Sequence, residues 1–468
     1  MKRQISNLCT LAFLLLAASA AVAPAAVKLP AVIGNNMVVQ RDVPLPIWGW
    51  ADAGEKVTVT LCGASKTATA DANGAWALTL PAMKYVAGQK ALTMTVKGSN
   101  TIELSNILVG EVWVGSGQSN MEFQLRQSTG GEEAIAKANL PTIRLLHVKK
   151  VQAKTPAKDI VLQTEGPDAW QVCSPQTVPN FSAVLFFFGQ RLSGDLKMPI
   201  GLINSSWDGS PIEPWTVTDT ARKQGGGMYN AMIAPLQPFP IRGAIWYQGE
   251  TNVMQKNGLA YYAKTKALIE GWRKTWKNDT LSFYFVQIAP WGNKAYYADG
   301  QLPALWEAQT ASLKIPRTGM AVTTDLVDNI GDIHPPNKLP VGNRLALWAL
   351  VKDYGKKDLV YSGPLYKSMK IEGKKIRVSF AHIGGGLASR DKKDLSEFQI
   401  AGADGKFVPA KAVIDGETVV VSADGVAAPK TVRFGWHRSA NPNLVNKAGL
   451  PASPFQTHNW RGGTGEET

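Results

Sequence analysis

Hydrophobic and polar positions alternate in short runs along the first hundred residues of the chain. Turn-forming residues at Asp52–Gly54 and Asp71–Gly74 separate these runs, a spacing that is typical of antiparallel strands. The pattern predicts a small β-sandwich over residues 27–104. Its strands are expected at Pro44–Trp50, Lys56–Leu61, Trp76–Leu80 and Ala91–Val96.

From residue 105 to residue 360, apolar runs alternate with longer helical stretches. This alternation predicts an α/β domain with a mostly parallel sheet that is covered on both faces. In such sheets, sites form in loops at the carboxyl ends of the strands. The strands are expected at Ile200–Ile203, Gly243–Tyr247, Leu281–Val286 and Met320–Thr323, and the helices at Ser182–Leu196, Leu259–Lys277, Pro303–Leu313 and Leu339–Tyr354.

The tail, residues 361–468, returns to short strands that turns such as Asp404–Gly405 and Asp415–Gly416 separate. It predicts a C-terminal β-rich module, which either packs against the central domain or stands alone. An apolar fraction of 45% and a charged fraction of 18% are those of a globular protein rather than a disordered one.

The N-terminus has the pattern of a signal peptide. Lys2 and Arg3 precede an apolar run and the small residues Ala18–Ala20, which predicts a leader over residues 1–20, with cleavage after Ala25 as the alternative. The apolar run is too short to span a bilayer. We therefore expect an exported protein, periplasmic or extracellular, without a membrane span.

The formal net charge is +14, and loss of Lys2 and Arg3 with the leader would reduce it to +12. The basic surface is either a plain solvated surface or one that attracts anionic glycans. Lysines and arginines are scattered rather than gathered into a stripe, which argues against a nucleic acid partner.

Without the leader, the chain keeps Cys62 and Cys173. Export permits a disulfide between them, but they lie in different predicted domains, so two free buried thiols are at least an equal alternative. No Cys/His pair has the spacing of metal ligands. We expect neither a metal nor another cofactor.

The loop Gly117–Glu122 follows an apolar strand, Ile107–Val114, and contains Ser119. Ser119 and Glu122 have the spacing of a capping box, which begins many helices. A serine at a strand-to-helix turn is also placed to act as a nucleophile, with helix N–H groups near its substrate. The usual elbow pattern G-x-S-x-G is absent, because Met121 takes the place of its second glycine.

A serine nucleophile needs a base, and His334 is the one histidine predicted in a loop between a strand and a helix of the α/β domain. Asp332 precedes it by two residues and could hold the imidazole in the required tautomer. The alternative is an exposed loop histidine beside a turn aspartate. The other histidines are His147 in an apolar strand, His382 and His437 in the β-rich tail, and His458 near the end.

Two further loops offer hydrogen-bond donors for an oxyanion. Gln248 follows a predicted strand and can direct its amide into the strand-end crevice, whereas Gly209 can offer its backbone N–H. Taken alone, each of these loops is merely a turn.

Together, four sequence blocks resemble the SGNH-hydrolase superfamily and, within it, the sialate O-acetylesterase-like carbohydrate esterases. The likeness also includes Asn36–Arg41 and Gly449–Phe455, so it spans nearly the whole chain beyond the leader. The four blocks are Val112–Glu122, Gly201–Trp215, Ala244–Glu250 and Asp332–Lys338.

The resemblance implies a flavodoxin-like SGNH three-layer α/β/α domain with an N-terminal β-sandwich and a C-terminal β module, and a cofactor-free esterase. It implies Ser119 as nucleophile, His334 as base and Asp332 as its orienting acid. The oxyanion hole would comprise the Ser119 N–H, the Gly209 N–H and the Gln248 amide. Four further residues would bind substrate: Gln118, Asn120, Glu250 and Trp215.

The chain departs from the family pattern in two places. Family members usually carry Gly-Gly-Thr where this chain has Asp208, Gly209 and Ser210. The Asp208 carboxylate would either repel a negative intermediate or contact substrate hydroxyls. Only one residue separates Asp332 from His334, so Asp328 is a second candidate for the orienting acid.

We therefore expect a serine esterase that removes O-acetyl groups from carbohydrates, with sialate O-acetylesterase as the first interpretation. An acetyl-xylan or other plant-glycan acetylesterase is the alternative within the same class. A catalytically inactive carbohydrate-binding surface protein is the alternative of another class, supported by the β modules, the 15 tryptophans and Asp208. An acetylated sugar or glycan is the expected partner, and the oligomeric state stays open.

Overall fold

The structure is a computed structural model that describes residues 26–217 and 226–457. The predicted leader, residues 1–20, and His458 lie outside the described residues. The N-terminal strands are β1 (Val38–Gln40), β2 (Leu45–Trp50), β3 (Lys56–Leu61), β4 (Ala64–Thr69), β5 (Ala75–Leu80), β6 (Leu92–Lys97) and β7 (Thr101–Gly117). Strand β2 pairs with β5, while β3 pairs with β4 and β6, all antiparallel.

Strand β7 belongs to the N-terminal part and to the central domain at once. Its first half pairs antiparallel with β6, and its second half pairs parallel with β10 (Ile200–Ser206) and β11 (Gly243–Tyr247). The predicted domain border at residues 104 and 105 therefore falls inside one continuous strand. The remaining strands of the central domain are β8 (Leu140–His147), β9 (Gln171–Cys173), β12 (Ser282–Val286) and β13 (Thr318–Ala321).

The central sheet has the order β13-β12-β11-β7-β10-β8-β9, and every pairing is parallel except that of β9 with β8. This confirms the mostly parallel sheet. The helices of this domain are α1 (Ser119–Glu122), α2 (Gly131–Ala136), α3 (Ala183–Leu196), α4 (Glu250–Met254), α5 (Tyr261–Trp276), α6 (Gln301–Ala311) and α7 (Leu339–Lys352).

Aromatic contacts show which helices cover each face of the sheet. Phe283 and Tyr284 are neighbours in β12 and point to opposite faces. Phe283 contacts Trp272 of α5, whereas Tyr284 contacts Trp348 of α7. Helix α7 packs beside α3, and α5 beside α6. The sheet therefore lies between two layers of helices.

The C-terminal module consists of short antiparallel strands with their own hydrophobic core, separate from the core that the N-terminal and central parts share. The described part of the tail is therefore rich in short strands. Its strands are β14 (Leu365–Glu372), β15 (Lys375–Ala381), β16 (Leu387–Ser389), β17 (Phe398–Ala401), β18 (Val408–Pro409), β19 (Lys411–Asp415), β20 (Thr418–Ser422), β21 (Thr431–Phe434), β22 (Leu444–Asn446) and β23 (Phe455–Gln456).

Two further expectations concern the cysteines and a membrane span. Both cysteines are free thiols; Cys173 is buried as expected, but the expectation is wrong for Cys62, which is exposed at the turn between β3 and β4. Within residues 26–217 and 226–457, no helix combines the length and the hydrophobicity that a membrane crossing requires.

Candidate active site

Ser119 lies directly after β7, where the chain turns sharply into the single-turn helix α1. Gly117 permits this turn, because its φ is +135° and a Cβ there would lie 2.2 Å from the carbonyl oxygen of Tyr247. The capping-box interpretation of Ser119 and Glu122 is wrong. The helix begins without a side-chain cap, because the Ser119 hydroxyl contacts a histidine and Glu122 forms an ion pair instead.

The predicted serine and histidine meet at the carboxyl edge of the sheet. The Ser119 Oγ lies 2.8 Å from the Nε2 of His334, although the two residues are 215 positions apart in sequence. His334 comes from the loop between β13 and α7. The two side chains line a pocket of about 340 Å³, together with Glu122, Phe123, Gln124, Gln127, Lys150 and Asp208.

The environment of His334 favours its neutral form. Burial and the nearby charge of Lys338 lower its pKa from the ordinary value of 6.5, while Asp332 and Asp208 oppose this shift. With a proton on Nδ1, the neutral ring leaves Nε2 free to accept the serine proton. The contact with Ser119 can therefore serve general base catalysis.

Asp332 lies beside the imidazole at a distance longer than a hydrogen bond. Its Oδ1 is 4.0 Å from His334 Nδ1 and accepts the His334 backbone N–H at 2.8 Å. The carboxylate thus fixes the loop and acts on the ring through its charge. Asp328, the second candidate, is exposed, and no contact with His334 is found among the described residues.

Two of the predicted oxyanion donors have free backbone N–H groups. Among the described residues, neither the Ser119 N–H nor the Gly209 N–H donates to a protein acceptor. Gly209 adopts a φ of +66° in the loop after β10, a conformation that glycine tolerates. Both N–H groups are consequently available to a ligand.

Gln248 is fully buried, and its amide is engaged by the protein. Its Nε2 lies within hydrogen-bond distance of Asn252 Oδ1 at 2.7 Å, Gln118 Oε1 at 3.1 Å and the Ser210 carbonyl at 3.2 Å. An amide has two N–H groups, so acceptors within the protein already saturate it. Its role as a third oxyanion donor remains a prediction that requires one of these bonds to exchange.

Lys150 joins two carboxylates on the wall of the pocket. Its Nζ lies 2.6 Å from Glu122 Oε1 and 2.5 Å from Asp208 Oδ1. Glu122 Oε2 also accepts the Asp208 backbone N–H at 2.8 Å. The ion pair with Lys150 lowers the pKa of Asp208, so this carboxylate is ionised and has a cation beside it.

The residues predicted to bind substrate lie beneath the pocket rather than on its wall. The exposed fractions are 3% for Gln118, 0% for Asn120, 2% for Glu250 and 0% for Trp215. Asn120 donates to Glu250 Oε1 at 2.6 Å, and Trp215 Nε1 donates to Ser210 Oγ at 2.9 Å. Direct contact of these four residues with substrate therefore stays a prediction.

Sequence reasoning missed two lysines of the site, Lys150 and Lys338. Lys338 is 1% exposed, and its Nζ donates to Asn120 Oδ1 at 2.5 Å. It stands in the block Asp332–Lys338 that carries the resemblance, which was the available signal. Lys150 follows β8 with no motif around it.

In residues 26–217 and 226–457, no three His, Cys, Asp or Glu side chains form a cluster that could hold a metal ion.

Comparison with known proteins shows which family the chain resembles. A family model described as carbohydrate esterase, sialic acid-specific acetylesterase, matches residues 109–349. Human sialate O-acetylesterase is 30% identical over 90% of this chain and 91% of its own length. The rat sialate O-acetylesterase is 31% identical over 72% of this chain and 76% of its own length.

A solved structure resembles the whole fold. The carbohydrate acetylesterase from Xanthomonas citri superposes with a TM-score of 0.86 at 39% identity, covering 93% of this chain and 100% of that protein. The fold and the relatives define a carboxylic ester hydrolase of the carbohydrate esterase class. Within that class, the chain belongs to the sialic acid-specific acetylesterase family.

Proposed function

We propose that the chain is a serine esterase that removes O-acetyl groups from carbohydrates, with O-acetylated sialic acid as its first substrate. The observation that carries the proposal is the 2.8 Å contact between Ser119 Oγ and His334 Nε2 in an open pocket. The names of the human and rat relatives support the substrate.

The proposed mechanism is a two-step acyl transfer. His334 Nε2 takes the proton of Ser119 as the hydroxyl oxygen attacks the acetyl carbonyl carbon. The Ser119 and Gly209 N–H groups, with Gln248 as the predicted third donor, would hold the resulting oxyanion. The C–O bond to the sugar breaks, and His334 returns the proton to the leaving oxygen. Water, deprotonated by His334, then releases acetate and regenerates Ser119.

Acetate release from acetylated sugars tests this proposal. Ser119→Ala should lose at least about 10³-fold in kcat, because no other group provides the nucleophile. Ser65→Ala, which removes an exposed hydroxyl in the N-terminal part, is the matched control and should equal wild type. Equal rates for wild type and Ser119→Ala would refute the assignment of the nucleophile.

A panel of substrates distinguishes the sugars. We expect faster release from O-acetylated sialic acid than from acetylated xylo-oligosaccharides, and the opposite order would favour the plant-glycan alternative. Retention on glycans without hydrolysis of p-nitrophenyl acetate would favour the inactive binding protein.

We further propose a flavodoxin-like SGNH topology for the central domain and a β-sandwich for the N-terminal part. The strand order and the two helix layers support the first. The pairing of β2 with β5, apart from the sheet of β3, β4 and β6, supports the second.

Export remains a proposal that rests on the sequence of residues 1–20, and N-terminal sequencing of protein recovered outside the cytoplasm would test it.

A further inference from the structure

A row of three buried polar side chains lies directly behind the Ser119–His334 pair. Lys338, Asn120 and Glu250 are 1%, 0% and 2% exposed. Lys338 Nζ donates to Asn120 Oδ1 at 2.5 Å, and Asn120 Nδ2 donates to Glu250 Oε1 at 2.6 Å. The amide thus stands between a buried cation and a buried carboxylate.

Asn120 also links the chain segments of nucleophile and base. It follows Ser119 in sequence, and its Nδ2 donates at 3.0 Å to the carbonyl oxygen of Ile333, which precedes His334. Both N–H groups of the amide and its oxygen therefore have partners. Since Lys338 can only donate and the Ile333 carbonyl can only accept, the orientation of the amide is fixed.

The two charged groups at the ends of the row depend on each other. Burial lowers the pKa of Lys338 from 10.5 to about 7, and the charge of Glu250 opposes that shift. Burial likewise raises the pKa of Glu250, and the bond from Asn120 and the charge of Lys338 oppose it. Aromatic rings enclose the ammonium group, with centroids 4.8 Å away for Phe123 and 5.2 Å for Tyr247. Removing either charge leaves the other uncompensated.

Lys338 also lies near the base itself, since the Phe123 ring is 4.8 Å from Lys338 Nζ and its centroid is 6.5 Å from that of the His334 ring. The titratable groups around His334 are Lys338 and Asp332 from its own loop, Asp208 from the loop after β10, and Glu122 and Lys150 in the same pocket. Of these, Lys338 is the cation that lowers the pKa of His334, while Asp332 and Asp208 raise it.

We infer that Asn120, held between Lys338 and Glu250, is a positioning residue that keeps Ser119 and His334 aligned, and that the buried Lys338 ammonium acts on His334 through its charge. The inference rests on the proposed function. It gives Asn120 and Glu250 a role different from the substrate contact that the sequence predicts. Because a displacement of about 1 Å can cost about 10²-fold in rate, loss of this link should appear in kcat.

The first test separates kcat from KM. Asn120→Ala should lower kcat for acetate release by about 10- to 10²-fold with little change in KM. Asn120→Asp keeps the size of the side chain and the oxygen that faces Lys338 but replaces the donating NH2, so it should lose a similar factor. Asn230→Ala is the control, because Asn230 is also buried but bonds the carbonyl of Ala153 outside the site.

The second test uses the pH profile of kcat/KM. Lys338→Met removes the cation that lowers the pKa of His334, so the acidic limb should move to higher pH. If Lys338 had only a packing role, the acidic limb of the profile would stay at the same pH. The inference falls if both Asn120 variants keep kcat within about twofold of the folded Asn230→Ala control, or if Lys338→Met leaves the limb unmoved.

These outcomes are distinguishable from failure of the proposed function. If wild type releases acetate and Ser119→Ala does not, the function stands, and the Asn120 and Lys338 variants alone decide the inference. Full activity of Ser119→Ala would instead remove the nucleophile, and the inference would fall with it.

Discussion

At the scale of single residues, the proposed mechanism depends on the protonation of His334. Only the neutral ring can take the Ser119 proton, so kcat/KM should fall as pH falls through the pKa of His334. Burial and Lys338 lower that pKa below 6.5. Activity should therefore persist to lower pH than an ordinary histidine would allow, and an acidic limb above pH 6.5 would contradict this assignment.

A substitution of Asp332 tests its role as the orienting acid of His334. Asp332→Asn removes a charge that raises the pKa of His334, so the acidic limb should move to still lower pH. The plateau should fall by about 10- to 10²-fold. This is less than the about 10⁴-fold cost in a fully hydrogen-bonded triad, because Asp332 Oδ1 lies 4.0 Å from His334 Nδ1. Asp328→Asn is the control and should match wild type, whereas equal losses would leave both acids as candidates.

Some residues of the site could be predicted from sequence and others could not. Ser119 and His334 stand in loops after predicted strands, and parallel strands bring such loops to one edge. The partners of Lys150 and Lys338 lie 58 and 218 positions away, where local pattern carries no signal. The capping-box interpretation of Glu122 failed for the same reason, because a distant lysine is its actual partner.

At the scale of elements, three strand ends meet at Lys150. Glu122 follows β7, Lys150 follows β8 and Asp208 follows β10, so the ion pairs hold the loop that carries Gly209 against helix α1. Asp208, the acidic residue that departs from the family pattern, therefore forms an ion pair with Lys150. Such a link would position Gly209, the proposed oxyanion donor.

Loss of this cation should loosen the oxyanion loop. Lys150→Met would leave two carboxylates facing each other, and their repulsion would displace Gly209. We expect kcat to fall by about 10-fold, which is less than the about 10²- to 10³-fold cost of removing one donor outright. Steady-state kinetics would measure the loss. Lys149→Met, an exposed neighbour, should leave kcat unchanged, and an unaffected Lys150→Met enzyme would show that the link has no role.

Regular elements were predictable where their periodicity is local. The helix expected at Leu259–Lys277 is observed at Tyr261–Trp276, and the strand expected at Gly243–Tyr247 is observed at those bounds. The length of β7 was not predictable, because its 17 residues change pairing partners midway without any break in the strand pattern. Sequence therefore located the elements but misplaced a domain border within one of them.

At the scale of the whole molecule, the described residues form two hydrophobic cores, and the C-terminal module, which has the second core, contacts the central domain. The Trp291 backbone N–H donates to the carbonyl of Arg438 in that module at 2.9 Å. The Trp291 Nε1 donates at 3.0 Å to the carbonyl of Gly331, three residues before His334. One tryptophan thus joins the C-terminal module to the loop of the proposed catalytic base.

Trp291→Phe tests this connection, because it keeps an aromatic ring and removes the N–H that reaches Gly331. A neutral hydrogen bond contributes about 1 kcal/mol, so kcat should fall by roughly fivefold if the bond holds His334 in its productive position. Arg438→Ala is the comparison, because it removes the side-chain contacts with Asp299 and with the Gly292 carbonyl, while the backbone contact of residue 438 with Trp291 remains. Acetate release by both variants measures the effect, and thermal unfolding confirms that each variant is folded. A larger loss in Arg438→Ala than in Trp291→Phe would show that the module acts through the charged side chain of Arg438 rather than through the tryptophan.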